Sequence, residues 1–361
     1  MVITQNIKQK VGFQNLLIGT MPPPIHGQSI CFELVVNSLQ NSIVIDRNVD
    51  QMSLVPKTIK YLKAFSKTLL VIVSKRPPVV YISLSRSIPG LVCDCTTILL
   101  ASAFKLKVFG HLHGNDFLES RFEQIVFGPT YRLLSSLIVL SSAMAQRMDK
   151  RVNASFSTLT NPINAQFLGE PKKPTDDVFR VVFFSNFMKS KGIHNFIKLA
   201  RALEHDSRFE FHVIGDIRGD YISTLEEMKT DFENWLNTCN NLTYHGALSG
   251  STLVEKLSLM DVLVFPSFYI PEAFPLSILE CAAVGQYIVL NDHNDLSVFK
   301  KLLPQIHICN TSDTGYLSNW LQKQKKSNLR LLGEENALRA KSYSATEHVR
   351  NLKEILELEE S

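Results

Sequence analysis

The densest chemistry in the sequence lies in the segment Pro271-Glu272-Ala-Phe274-Pro275-Leu276-Ser277-Ile-Leu-Glu280-Cys-Ala-Ala-Val-Gly285. Pro275 suits a first helical turn, where its missing amide proton needs no partner. Gly285 suits the stop. A helix over 275–284 opens with free amides and the positive end of its dipole, and both favour a phosphate. Glu272 then stands just outside the helix start, and Glu280 lies about one and a half turns inside. Carboxylates so placed can accept hydrogen bonds from sugar hydroxyls. Two solvated glutamates on an ordinary helix are the plain alternative.

Three further groups have the composition of a phosphate or sugar site. In Val181-Val-Phe-Phe-Ser185-Asn186-Phe-Met-Lys189-Ser-Lys191-Gly192, a lysine at a strand-to-helix turn can neutralise a diphosphate as a point charge. In Thr20-Met-Pro-Pro-Pro24-Ile-His26-Gly27-Gln28-Ser29, proline stiffens the loop and Gly27 lets backbone approach a ligand. Residues 27–29 would open a helix with their amides toward a phosphate, and His26 is either a ligand contact or a loop-surface residue. In Gly110-His111-Leu112-His113-Gly114, alternation puts both imidazoles on one side or at the strand's open end. Such a pair can bind zinc, but no third ligand of the right kind stands nearby, so no metal site is expected.

These residues need elements to hold them. Short apolar runs at Leu16–Gly19, Ile43–Asp46, Val79–Leu84, Leu106–His111 and Leu137–Leu140 read as strands, with helical patterns near 28–39, 57–74, 88–103 and 142–151. The polar, proline-containing segment 169–177 reads as a linker. Alternation then resumes, with strands at Val181–Phe184, Glu210–Ile214, Leu242–Tyr244, Val262–Phe265, Tyr287–Leu290 and Ile306–Cys309. Ala345–Glu360 has a charged amphipathic helix pattern. Strand–helix repetition of this kind implies α/β architecture: two doubly wound, Rossmann-like domains facing a cleft, with ligands outside the carboxyl ends of the strands. The expected domains are 1–165 and 175–344, with 345–361 packing back on the first.

With the Glu pair in that strand–loop–helix setting, the sequence resembles glycosyltransferase family 4, whose fold is the two-domain GT-B type. Phe265-Pro266-Ser267 and the small residues Ala282 and Ala283 add to the likeness. The resemblance implies that Glu280 holds the nucleotide ribose, that Glu272 contacts the donor sugar, and that backbone amides from Phe274 through Pro275, Leu276 and Ser277 approach the diphosphate. Lys191-Gly192 matches a family Lys-Gly, but the family's arginine five residues earlier is Asn186 here, and Lys189 is the candidate substitute. Gly27 and Gln28 resemble the family's first loop. Gly215 in Ile214-Gly215-Asp216, and Tyr244-His245-Gly246, resemble its loops around the base. His113 takes the place of a family histidine that faces the donor sugar, with His111 as second choice.

The resemblance therefore implies retaining, metal-independent transfer of a sugar from a UDP- or GDP-type donor to a glycan or lipid-linked acceptor in surface polysaccharide assembly, with no cofactor. His113, Lys191 and Glu272 would carry the chemistry. No Asp-x-Asp occurs in the sequence, although metal-dependent sugar transferases usually need one. Two rivals stand: a sugar-nucleotide-binding scaffold whose activity has decayed, suggested by Asn186, and an epimerase or phosphorylase of the same architecture. A nicotinamide dehydrogenase is disfavoured, because no G-x-G-x-x-G follows a strand.

Composition narrows the field further. The 361 residues, 45% hydrophobic and 20% charged, suffice for two cores. A net charge of +4 without an arginine-rich arm does not call for nucleic acid. Six cysteines without a C-x-x-C pair fit reduced thiols and a cytoplasmic setting. No signal-peptide h-region and no membrane-spanning run is evident. Lys57, Lys60, Lys63 and Lys67 fall on one helix face, with Ile59, Leu62 and Leu69 expected opposite, and this basic stripe suits peripheral contact with anionic lipid at the inner membrane face.

Overall fold

The computed structural model describes residues 14–23, 27–48, 54–170, 173–236, 238–270, 272–292 and 296–358. Its strands form two parallel sheets of six. The first contains β1 (Asn15–Gly19), β2 (Ser42–Asp46), β3 (Val79–Ser83), β4 (Lys107–Leu112), β5 (Ser136–Val139) and β6 (Phe156–Thr158), in the order β2-β1-β3-β4-β5-β6. The second contains β7 (Phe179–Phe184), β8 (Phe209–Ile214), β9 (Leu242–Tyr244), β10 (Val262–Phe265), β11 (Tyr287–Asn291) and β12 (Ile306–Cys309), in the order β12-β11-β10-β7-β8-β9. Each sheet therefore reverses its winding once, between β1 and β3 and between β7 and β10. Crevices at such switch points, outside the carboxyl strand ends, are where open α/β sheets bind ligands.

Apolar runs on β3, β5 and β10 are buried along their whole length, as strands covered on both faces must be. In the first sheet Leu17, Phe32, Tyr81 and Phe109 share a core with Leu352 and Leu356 of the C-terminal segment. In the second, Phe196 of the helix Ile193–Ala202 packs between Phe183 and Phe211, with ring centroids 5.6 Å from each.

The chain divides into one unit of residues up to Leu140, Ala145–Leu159 and the segment from Asn351, and another of Ser141–Met144 and Thr160–Arg350. The changeover falls at 159/160, so the proline-containing segment 169–177 lies inside the second unit rather than between two units.

Several elements depart from the sequence reading. β6 has three partly exposed residues, too few for any periodicity to register. The short helices Asp116–Glu119, Arg121–Val126 and Gly128–Tyr131 have four to six residues each, too few for a helical period to register. The last helix is Ala345–Ile355 and stops short of Glu360, because Glu357 takes a left-handed φ of 55°. On the helix Leu54–Lys75 the core side is Ala64, Thr68, Val71 and Ile72. Ile59 and Leu62 are exposed together with Lys63 and Lys67, so the apolar residues share the solvent side with the lysines instead of opposing them. Lys60 and Leu69 are partly buried. The Lys57 side chain lies outside the described residues.

Candidate functional site

In the second unit, the turns after β7 and β10 meet at the switch point. The turn after β7 closes with Lys191 N–H on Met188 O and Gly192 N–H on Lys189 O, at 3.2 and 3.0 Å. Gly192 then caps the helix Ile193–Ala202 with φ 78°. A Cβ on Gly192 would lie 2.1 Å from Pro266 O, so only glycine lets this turn press against the end of β10. Ser190 ties three loops together. Its N–H donates to Asp220 Oδ2 at 2.7 Å, and its carbonyl accepts from Phe268 N–H at 2.9 Å.

That closeness brings Lys191 onto Glu272. The ammonium forms an ion pair with Glu272 Oε2, and both side chains are nearly buried, at 12% and 11% exposure. Lys191 Nζ also stands 4.5 Å from the centroid of the Tyr269 ring, a cation–π contact. Glu272 accepts a 3.2 Å hydrogen bond from the hydroxyl of buried Ser267. Asn291 in turn donates to Ser267 O at 3.2 Å, and Thr311 fixes Asn291 Oδ1 through its amide and its hydroxyl. A chain of neutral groups from β11 thus holds the acidic loop. Ser267, Tyr269 and Asn291 hold the candidate site and were not among the residues singled out from the sequence. Ser267 stood in a quoted motif, whereas Asn291 gave no local signal because its role depends on sheet register.

The helix after β10 is Leu276–Ala283, with Pro275 at its N-cap in extended geometry and no side-chain cap. The amides of Leu276 and Ser277 therefore open the helix without an intrahelical acceptor. Phe274 points its ring into the core, stacked on Phe299 at 5.0 Å, so only its backbone faces outward chemistry. Glu280 is half-buried, and among the described residues no hydrogen bond or ion pair holds its carboxylate. Desolvation pushes its pKa up to about 7. A partly buried acid without a partner is costly in a fold and is a mark of a binding group.

Gly215 ends β8 with φ 149°, and a Cβ there would lie 2.0 Å from Ser185 O. Its amide bonds Gly246 O at 2.9 Å, and Tyr244 Oη donates to its carbonyl at 2.9 Å, so the two glycine loops form one rim. Beside it, His212 Nδ1 lies 3.1 Å from His245 Nε2, and burial lowers both pKa values, that of His212 to about 4. Asn186 is half-buried in the turn after β7, while Lys189 is exposed.

In the first unit, Gly27 begins the helix Gly27–Ser38 after β1, and Gln28 is its second residue. Gln28 Nε2 donates to Ser83 Oγ at 3.0 Å and to Leu84 O at 3.1 Å, bridging the switch point between β1 and β3. The amide group is thus committed to the sheet end, which leaves only its carbonyl oxygen for a ligand. His26 lies outside the described residues. His111 is buried with Nδ1 2.7 Å from Tyr81 Oη, while His113 is half-buried with its ring centroid 3.9 Å from that of His111. Contrary to the sequence reading, a third ligand type does lie near them. Cys31 offers its sulfur within 4.8 Å of ligand atoms on both histidines, brought there by the helix that follows β1.

Asp94, between two cysteines in the sequence, is a buried structural acid. It pairs with Arg47 and accepts the Ser85 amide at 2.7 Å. None of the six cysteines is in a disulfide. Among the described residues no helix is long and apolar enough to cross a membrane.

Residues 167–299, which carry the Lys191 and Glu272 turns, match the family model of glycosyl transferases group 1. The α-galactosylglucosyldiacylglycerol synthase of Streptococcus pneumoniae is 33% identical over 130 residues, which are 36% of this chain and 32% of that protein, so the match spans about a third of each. Among solved structures, sucrose-phosphate synthase of Thermosynechococcus elongatus aligns with a TM-score of 0.70 at 14% identity, over 94% of this chain and 98% of that one. Anabaena Alr3699/HepE in complex with UDP-glucose aligns with a TM-score of 0.66 at 14% identity, over 95% and 99%. A glycosyltransferase of Rickettsia africae gives 0.67 at 12%, over 95% and 98%. The two doubly wound α/β units are thus the fold these proteins share, and the second unit is similar in sequence to a group 1 glycosyl transferase domain.

Proposed function

We propose that the protein is a glycosyltransferase of the GT-B, family 4 type that moves a sugar, with retention, from a nucleoside diphosphate donor to a glycan or lipid-linked acceptor, without a metal ion. The observation that carries this reading is the Lys191–Glu272 ion pair at the uncapped start of Leu276–Ala283, with the Glu280 carboxylate, which has no partner among the described residues, on the same helix. A diphosphate offers Lys191 a stronger anionic partner, and the helix-start amides share its charge. Glu272, released from the ammonium, then accepts hydrogen bonds from donor sugar hydroxyls, and Glu280 accepts them from the ribose. Charge that grows on the departing diphosphate is met by groups already in place, the usual source of the largest rate term. His113 contributes a neutral imidazole toward the sugar.

The relatives support the choice of substrates. One is named for a glycolipid product and another is bound to UDP-glucose. A UDP-sugar is accordingly the first donor to test, then a GDP-sugar. A surface polysaccharide role and a cytoplasmic setting complete the reading. Peripheral contact with anionic lipid through the lysine-bearing helix Leu54–Lys75 fits as well, since its solvent side combines aliphatic and basic side chains. The test is a calorimetric donor screen followed by turnover with a lipid-linked acceptor in the presence of a chelator. Donor-specific binding and chelator-insensitive transfer are expected. Binding without transfer across a panel of acceptors would favour a scaffold, and no nucleotide binding at all would end the proposal.

A further inference from the structure

We infer that Cys31, His111 and His113 form a binding site for a zinc-class divalent ion in the first unit. Their ligand atoms all lie within 4.8 Å of one another, with Cys31 and His111 buried and His113 half-buried. The topology that assembles them is specific. His111 lies near the end of β4 and His113 just beyond it, their ring centroids 3.9 Å apart, and the helix Gly27–Ser38 brings Cys31 to the same place. The Tyr81 hydroxyl, 2.7 Å from His111 Nδ1, is the kind of outer partner that orients a ligand histidine and fixes its tautomer.

The donor set selects the ion. One sulfur and two imidazole nitrogens suit zinc and its borderline neighbours, whereas magnesium and calcium require oxygen. Three protein ligands leave a fourth tetrahedral position for water. The ion replaces the Cys31 thiol proton as it binds. One sulfur–metal and two nitrogen–metal bonds form, five metal–water bonds break as the six-coordinate aqua ion becomes tetrahedral with one water kept, and the thiol proton passes to the buffer with no change of oxidation state. The ion takes no part in neutralising the diphosphate. It ties down the His113 imidazole, so occupancy slows transfer reversibly. That regulatory clause rests on the proposed function, while the binding itself does not.

The test uses the full chain, stripped with a chelator and titrated with Co2+ alone. One cobalt per chain is expected, with a sulfur-to-cobalt charge-transfer band in the near ultraviolet that added Zn2+ abolishes. Cys31→Ser removes the band. His113→Ala, at a half-exposed position, removes stoichiometric binding, so the site stays testable even if the buried serine variant does not fold. Tyr81→Phe weakens cobalt affinity about 10- to 100-fold. A wild-type chain without the band, or one whose band survives Cys31→Ser, overturns the site. In the turnover assay, Zn2+ inhibits the wild type and chelator restores it, while Cys31→Ser keeps chelated wild-type turnover and ignores Zn2+. A chain that shows the band but transfers no sugar with any donor leaves the site standing and retires the functional reading instead.

Discussion

Each unit holds a nearly buried ion pair, and the two pairs do different work. In the first, Arg47 and Asp94 are 6% and 0% exposed, and backbone completes both ends. Arg47 Nη2 donates to Ser83 O at 3.2 Å, and Asp94 accepts the Ser85 amide at 2.7 Å. This pair pins the end of β3 and has little to exchange with a ligand. In the second, Lys191 and Glu272 meet at a helix start, supported by the Tyr269 ring and the Ser267 hydroxyl. Lysine is a compact charge on a flexible stem, able to change partners, where a guanidinium fork locked to backbone is not. The Arg47–Asp94 pair is thus a strut, and the Lys191–Glu272 pair, with fewer fixed groups around it, is the one proposed to exchange for a ligand.

The largest expected effect tests the strut. Asp94→Ala leaves a buried guanidinium uncompensated and should cost about 3–5 kcal/mol, read as a lower denaturant midpoint. A loss too small to resolve would remove the contrast. Next comes the exchangeable pair. Lys191→Ala should lower turnover roughly 100- to 1,000-fold, with a smaller loss of stability than the Asp94 variant shows. Unchanged kinetics would discard the site. Glu280→Ala should then weaken nucleotide binding roughly 10- to 100-fold by calorimetry, the worth of charge-assisted hydrogen bonds.

The pH dependence sharpens the same point. Burial raises the Glu280 carboxyl to about 7 from its ordinary 4.5. Its contribution to stability is full below the unfolded value and is lost as pH rises through about 7. Donor binding should have the opposite sign, because the proposed function has the ribose held by the carboxylate. Nucleotide affinity should fall as pH drops below about 7 and stay level in Glu280→Gln. A wild type as flat as that variant would count against Glu280 as the ribose acid. The smallest effect belongs to the exposed Lys107–Glu357 pair. Glu357→Ala should cost less than about 1 kcal/mol, a baseline against which the Asp94 loss is judged.

Much of the candidate site was legible because its signals are local. Pro275 and Gly285 bracket a helix, Lys191-Gly192 marks a turn that only glycine permits, and the spacing of Glu272 and Glu280 follows from one strand, one loop and one helix. The misses are non-local. Nothing near His111 and His113 in the sequence points to Cys31, because the helix after β1 reaches β4 only once the sheet order β1-β3-β4 exists. The commitment of Gln28 to Ser83 and Leu84 hangs on the same order. The solvent position of Ile59 and Leu62 was misjudged because lysine spacing marks a face without saying which side meets the core.

The sequence by itself determined the alternation of strands and helices, most of their bounds, and which loops carry charge. Those follow from backbone stereochemistry and from side chains a few residues apart. Only the tertiary structure decided strand order, the two switch points, the meeting of Lys191 with Glu272 across 81 positions, and the cluster of Cys31 with two histidines. Strand pairing and burial are collective. A residue's partners depend on how the whole sheet is wound, and so does the dielectric around its charge, and no short window of sequence contains either.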